Sequence, residues 1–267
     1  MLKILYLSCE DSAPYLNYCS STNTLGPIPE CLLREFSTAI ADSKFPDGVT
    51  FSMFDCKAAS CVYPESYSAY DGILIPGSLS DSYSNAPWIA ALRSEVLTKI
   101  APNEIPTVGI CFGHQIIAHA LGGEAGQNPH GPLTAQHDFT LTEEGRQVFN
   151  MRESSGMSLL CSHNDAILAL PPTATNLATS ATCVYQMVAY KSAKSTRPWC
   201  YTVQSHPEYS CTNPGREVVR ESVKMSVNGS TLTKEEGDRA IEAMDEAVCD
   251  VHAKQVIDTF VNSLFLL

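Results

Sequence analysis

The chain has 267 residues, 44% of them hydrophobic, with a net charge of −12 and 11 cysteines. That is enough apolar material for one large α/β domain, or a domain with an extension. The acidity disfavours nucleic acid and anionic membrane surfaces, which recruit basic patches. The odd cysteine count, without a C-x-x-C pair or zinc-ligand spacing, argues for free thiols in a reducing, cytoplasmic compartment and against a metal site.

Lys3 to Ser8 is apolar and reads as a buried first strand, too short for a signal peptide or a membrane span. Glu10 to Pro29 is rich in Ser, Asn, Pro and Tyr and reads as a long loop. It follows the first strand, where α/β folds place ligand-binding loops; the alternative is a surface insertion. A helix is expected over Ile28 to Ala41 and strands over Val49 to Phe54 and Tyr70 to Ile75, the last ending at Pro76-Gly77-Ser78. Leu79 to Pro87 is a polar loop, and Trp88 to Ile100 reads as a helix with Trp88 as a packing residue.

The centre of the chain is Gly109-Ile110-Cys111-Phe112-Gly113-His114-Gln115. The apolar run Ile105 to Ile110 leads in as a buried strand. The amphipathic segment His114 to Leu121 leads out as a helix, stopped by Gly122-Gly123. Cys111 therefore sits where a strand breaks sharply into a helix, and Gly-x-Cys-x-Gly is the cysteine form of the nucleophile elbow. The helix N-terminus favours a thiolate there and supplies N–H donors for an oxyanion. Without further support, the same pattern also fits a buried structural cysteine.

Beyond the elbow, Glu124 to Pro132 reads as loop and Ala135 to Leu141 opens a β-rich stretch. Leu159 to Ile167 reads as a strand running into a loop, with His163 and Asp165 favoured as structural groups near the rim of a site rather than as a second dyad. Strands are expected over Cys183 to Ala189 and Trp199 to Gln204. The second of these ends in His206-Pro207-Glu208, so a base and a carboxylate leave one edge of the sheet together. A thiol nucleophile needs a base, and the base needs an orienting carboxylate; Cys111, His206 and Glu208 supply these roles in order. From Glu235 to Phe265 the apolar residues recur at helical spacing. Two or three helices covering the sheet are expected, or else a partner-binding helix.

Gly-Ile-Cys-Phe-Gly-His-Gln, with the later Gln204-Ser-His-Pro-Glu208, resembles the class I, triad-type glutamine amidotransferase family, in particular its stand-alone branch related to the GMP synthase amidotransferase domain, which includes γ-glutamyl peptidases. Asp71-Gly-Ile-Leu-Ile-Pro-Gly77-Ser78, Pro87-Trp88-Ile89 and Ser162-His163-Asn164-Asp165 match in the family's order. Ser205 departs from the aromatic common at its position, and Pro-Gly-Ser replaces the Pro-Gly-Gly of the biosynthetic members.

The resemblance implies a flavodoxin-like three-layer sandwich with a mostly parallel central sheet and a small antiparallel section. Residues 1–212 would form the amidotransferase-like domain, and 213–267 a helical extension packed on it. It implies Cys111, His206 and Glu208 as catalytic groups, Gly77 and Phe112 as oxyanion donors, and Gln115 and Ser78 at the substrate, with no metal or organic cofactor. The expected activity is hydrolysis of a small γ-glutamyl peptide or conjugate through a thioester. The alternatives are a glutaminase subunit feeding ammonia to a separate synthetase, and a non-catalytic binding or regulatory relative.

Overall fold

The computed structural model describes residues 2–10, 48–58, 61–151, 156–210, 213–244 and 246–265. Most of the loop expected up to Pro29 and the helix expected over Ile28 to Ala41 lie outside these residues. A nine-stranded sheet has the order β2-β1-β3-β4-β11-β10-β9-β6-β7. Its first half is β2 (Val49–Asp55), β1 (Leu2–Ser8), β3 (Gly72–Ile75), β4 (Thr107–Ile110) and β11 (Cys200–Val203), all parallel. Every residue of β3, β4 and β11 is buried. This is why those stretches read as continuous apolar runs rather than alternating ones.

The second half continues antiparallel through β10 (Met187–Tyr190), β9 (Ala174–Thr179), β6 (Leu133–Leu141) and β7 (Gly156–His163). A separate two-stranded sheet pairs β5 (Glu124–Gln127) with β8 (Asp165–Ala169). Three expectations are corrected here. The stretch after the elbow helix is strand at Glu124–Gln127 before it is loop, and the chain after His163 turns at Asn164 into a second strand instead of the expected loop. The strand expected from Cys183 begins only at Met187, because Cys183 is held in a turn by the Ser180 hydroxyl.

Helices cover both faces of the sheet. α1 (Pro87–Glu95) starts with Pro87 at its first turn, then widens into a π-turn over Val96–Ile100. Its Ile89 and Leu92, with Ile116 and Ile117 of α2 (Phe112–Ala120), pack on Leu5, Leu7, Ile73 and Ile75. The alternate residues Ile4, Tyr6, Leu74 and Val108 face the other way. They pack on Val256, Ile257, Phe260 and Val261 of α7 (Glu246–Phe265). Phe260 stacks on Tyr201 with ring centroids 5.0 Å apart.

Two helices between α2 and the tail were not foreseen. α3 (Glu143–Phe149) is capped by the Thr142 hydroxyl, which accepts from Gly145 N at 3.0 Å. α4 (Pro207–Ser210) is a single turn. The tail adds α5 (Asn213–Asn228) and α6 (Lys234–Glu242) to α7; α6 opens on a Thr233–Glu236 capping box.

Candidate active site

The elbow is built by two close approaches. A Cβ on Gly113 would stand 2.0 Å from the Ile75 carbonyl oxygen, and one on Gly109 would meet the Gly113 carbonyl at 2.9 Å. The helix start can therefore press against the end of β3, and Gly113 N donates to Pro76 O at 3.1 Å. Between the two glycines, Cys111 adopts φ 50, ψ −102, a region that L-residues avoid. Strain of this kind costs on the order of 1–3 kcal/mol and persists where the surroundings enforce it. Here β3 and β4 enforce it, and the side chain is lifted off the end of the sheet.

His206 and Glu208 come from the end of β11, as the strand-then-proline pattern implies. His206 N donates to Leu160 O at 2.8 Å, which fixes the turn to β7. The ring donates from Nδ1 to Glu208 Oε1 at 2.7 Å, and the ring and Cys111 border the same hollow. Burial opposes a charged imidazole here. The Glu208 carboxylate and the Cys111 charge outweigh it, and the His206 pKa is pushed up to about 10. Sequence reasoning missed Tyr209, whose ring lies flat on His206 with centroids 4.4 Å apart and planes 10° apart. Its place three residues after the histidine was the available signal.

Gly77 lies against both groups: a Cβ there would fall 3.1 Å from His206 Cε1 and 3.6 Å from Cys111 Cβ. The backbone N–H of Gly77 and that of Phe112 have no acceptor among the described residues. Phe112 turns its ring away to stack on Trp88 at 5.5 Å, which leaves only its N–H near the site and makes Trp88 the expected packing residue. Ser78 Oγ donates to Glu10 Oε2 at 2.9 Å, and the same oxygen accepts from Leu79 N at 2.7 Å. Glu10 thus pins the turn after β3. It was hidden because it stands at the start of a stretch read as loop.

Cys111 sits where two hollows meet. The smaller, about 60 Å³, is bordered by Gly77, Ser78, Glu10, His206 and Glu208. The larger, about 300 Å³, is bordered by Gln115, Ser78, His163 and Asp165, and on its far side by Ser222 and Met225 of α5. The tail therefore forms one wall of the cleft, a role that its helical spacing alone does not reveal. Gln115 Nε2 donates to Gln204 Oε1 at 3.1 Å. His114 is fully buried between Thr202 Oγ1 at 2.7 Å and Tyr185 O at 2.9 Å. Burial lowers its pKa to about 3, so it ties α2 to its neighbouring strand as a neutral ring. Ser205 is wholly buried, and its hydroxyl has no partner among the described residues. No group of three or more His, Cys, Asp or Glu is arranged to hold a metal ion among the described residues, and no described helix is long and apolar enough to cross a membrane.

Comparison with known proteins bears on the family. The glutamine amidotransferase class-I profile matches residues 36–225. Gamma-glutamyl peptidase 3 of Arabidopsis thaliana is 30% identical over 185 residues, covering 68% of this chain and 70% of that protein. Gamma-glutamyl peptidase 5 of the same plant is 29% identical over 184 residues, covering 68% of each. Among solved structures, a glutamine amidotransferase from Thermotoga maritima superposes with a TM-score of 0.66 at 15% identity, covering 99% of this chain and 98% of that one. This chain belongs to the class-I glutamine amidotransferase family.

Proposed function

We propose that the chain hydrolyses γ-glutamyl amide bonds through a thioester on Cys111, with His206 as acid and base and Glu208 as the group that orients it. The carrying observation is the His206 ring, held by Glu208 Oε1 at 2.7 Å and bordering the same hollow as Cys111 at its strained elbow. The sulfur attacks the γ-carbonyl carbon, and the N–H groups of Gly77 and Phe112 receive the negative oxygen. His206, holding a proton, gives it to the leaving nitrogen as the C–N bond breaks. The same ring then takes a proton from water, hydroxide displaces the sulfur, and a γ-carboxylate departs.

Gln115 and Ser78 border the hollow that would take the acyl part, while His206 and Glu10 border the one that would take the leaving amine. The peptidase reading draws on the names of the two plant relatives and on Ser78 in place of a second glycine. The test compares kcat/KM of the isolated protein for glutamine and for γ-glutamyl dipeptides. Preference for the peptides is expected; preference for glutamine, or activity only with a synthetase added, would assign the chain to ammonia supply.

A further inference from the structure

Strands β1 and β2 end side by side: their register pairs Ser8 with Asp55, and Cys56 N donates to Ser8 O at 3.0 Å. Just beyond those ends the chain carries Glu10 and Lys57, at the edge of the sheet where β4 runs into Cys111. Lys57 N donates to Asp55 Oδ1 at 2.9 Å, which fixes the second of these turns. Lys57 Nζ donates to Glu10 Oε1 at 3.5 Å, and the two side chains are only 15% and 13% exposed. An ion pair so far out of water is little screened by salt.

Each charge reaches towards a different oxyanion donor. Glu10 uses its second oxygen: Oε2 accepts from Ser78 Oγ at 2.9 Å and from Leu79 N at 2.7 Å. Ser78 Oγ accepts in turn from Ser80 N at 3.1 Å, so the turn after Gly77 hangs on one carboxylate. From the other side, Pro76 O, in the same peptide plane as Gly77 N, accepts from Gly113 N at 3.1 Å. The Gly77 N–H is thus aimed by constraints before and after it. Lys57 Nζ stands over the Trp88 ring, 5.5 Å from its centroid, and Trp88 stacks on Phe112 with centroids 5.5 Å apart. A cation is attracted to an aromatic face, more strongly when desolvated. Phe112 supplies the second N–H, so the ring that Lys57 holds is the ring on which Phe112 rests.

We infer that Glu10 and Lys57 form one positioning pair that aligns both oxyanion donors, Gly77 through the Ser78–Leu79 turn and Phe112 through Trp88. The inference rests on the thioester reading above and deepens it. The two donors follow different strands, β3 and β4, and the ion pair couples them without touching the reacting atoms.

The test separates a step that builds an oxyanion from one that does not. Attack of the Cys111 thiolate on an amide carbonyl needs the two N–H groups. Alkylation of Cys111 by iodoacetamide displaces iodide from a saturated carbon and needs only the thiolate. Lys57→Met, Glu10→Ala and the double variant are compared with the unaltered protein for kcat and KM on a γ-glutamyl anilide. The alkylation rate at Cys111 is read by peptide mass spectrometry. Each single variant is expected to lower kcat by about 10- to 100-fold, less than loss of a whole donor, with KM within about 3-fold. Alkylation should stay within about 2-fold, because the thiolate and its base are untouched. The double variant should fall no further than the slower single variant, as for groups that act as a unit. Lys57→Arg, which keeps a cation for the carboxylate and the ring, should restore most of the rate. If Glu10→Ala does not fold, the Lys57 variants decide alone. An unchanged kcat in Lys57→Met, an alkylation rate that falls as far as kcat, or single losses that multiply in the double variant would overturn the positioning pair and leave the γ-glutamyl reading standing. An unaltered protein that is alkylated at Cys111 but turns over no γ-glutamyl compound would contradict that reading itself.

Discussion

Tyr209 lies parallel on the His206 imidazole, 4.4 Å between centroids. An aromatic face attracts a cation, so it supports the protonated ring that the leaving nitrogen needs. Tyr209→Ala should lower kcat by about 10-fold, and the alkaline limb of the pH–rate profile should move to lower pH. Tyr209→Phe, which keeps the face, should restore most of both. An unchanged alkaline limb in the alanine variant would show that the stacking is only packing.

Gly113 and Gly122 make opposite demands. A Cβ at Gly113 has the Ile75 backbone oxygen in its way at 2.0 Å, whereas Gly122 has a φ of +93 but nothing within 4 Å. Gly113→Ala should therefore cost about 3 kcal/mol or more, through displaced backbone, and abolish activity. Gly122→Ala should cost about 1 kcal/mol, from backbone strain alone, and leave activity intact. Urea denaturation of both variants checks the order.

Three histidines bend the stability of the fold with pH in opposite directions. His114 and His163 have folded pKa values lowered by burial to about 3 and about 4. An unfolded chain binds their protons first, so their contribution is whole above about pH 6.5 and is lost as pH falls towards those values. His206 is raised to about 10, so its contribution is whole below about pH 6.5 and is lost as pH rises through 10. Stability should peak near neutrality. His114→Gln should flatten the acid limb and His206→Gln the alkaline limb in a series of denaturation curves; a variant that leaves its limb unchanged would contradict the assignment.

Strands β3, β4 and β11 were legible because each is buried on both faces, and the elbow because its glycines bracket a cysteine. What escaped was what tertiary contact overrides. β5, Glu-Ala-Gly-Gln, has no apolar alternation and exists through its pairing with β8. α3 carries Gly145 in its interior, a poor helix former, because a Cβ there would come within 1.9 Å of the Leu177 carbonyl oxygen. In the site, Cys111, His206 and Glu208 carry their chemistry in their residue types. Glu10, Gln204 and the α5 wall act by position, which only the folded chain reveals.

The most direct measurement is to trap the acyl-enzyme. The protein is mixed with a γ-glutamyl anilide, quenched in acid within the first turnover and mapped by peptide mass spectrometry. One γ-glutamyl group on Cys111 is expected, absent in Cys111→Ala, whose kcat/KM should fall on the order of 10³-fold or more. An acyl group on another residue, or turnover in Cys111→Ala at the unaltered rate, would contradict the account.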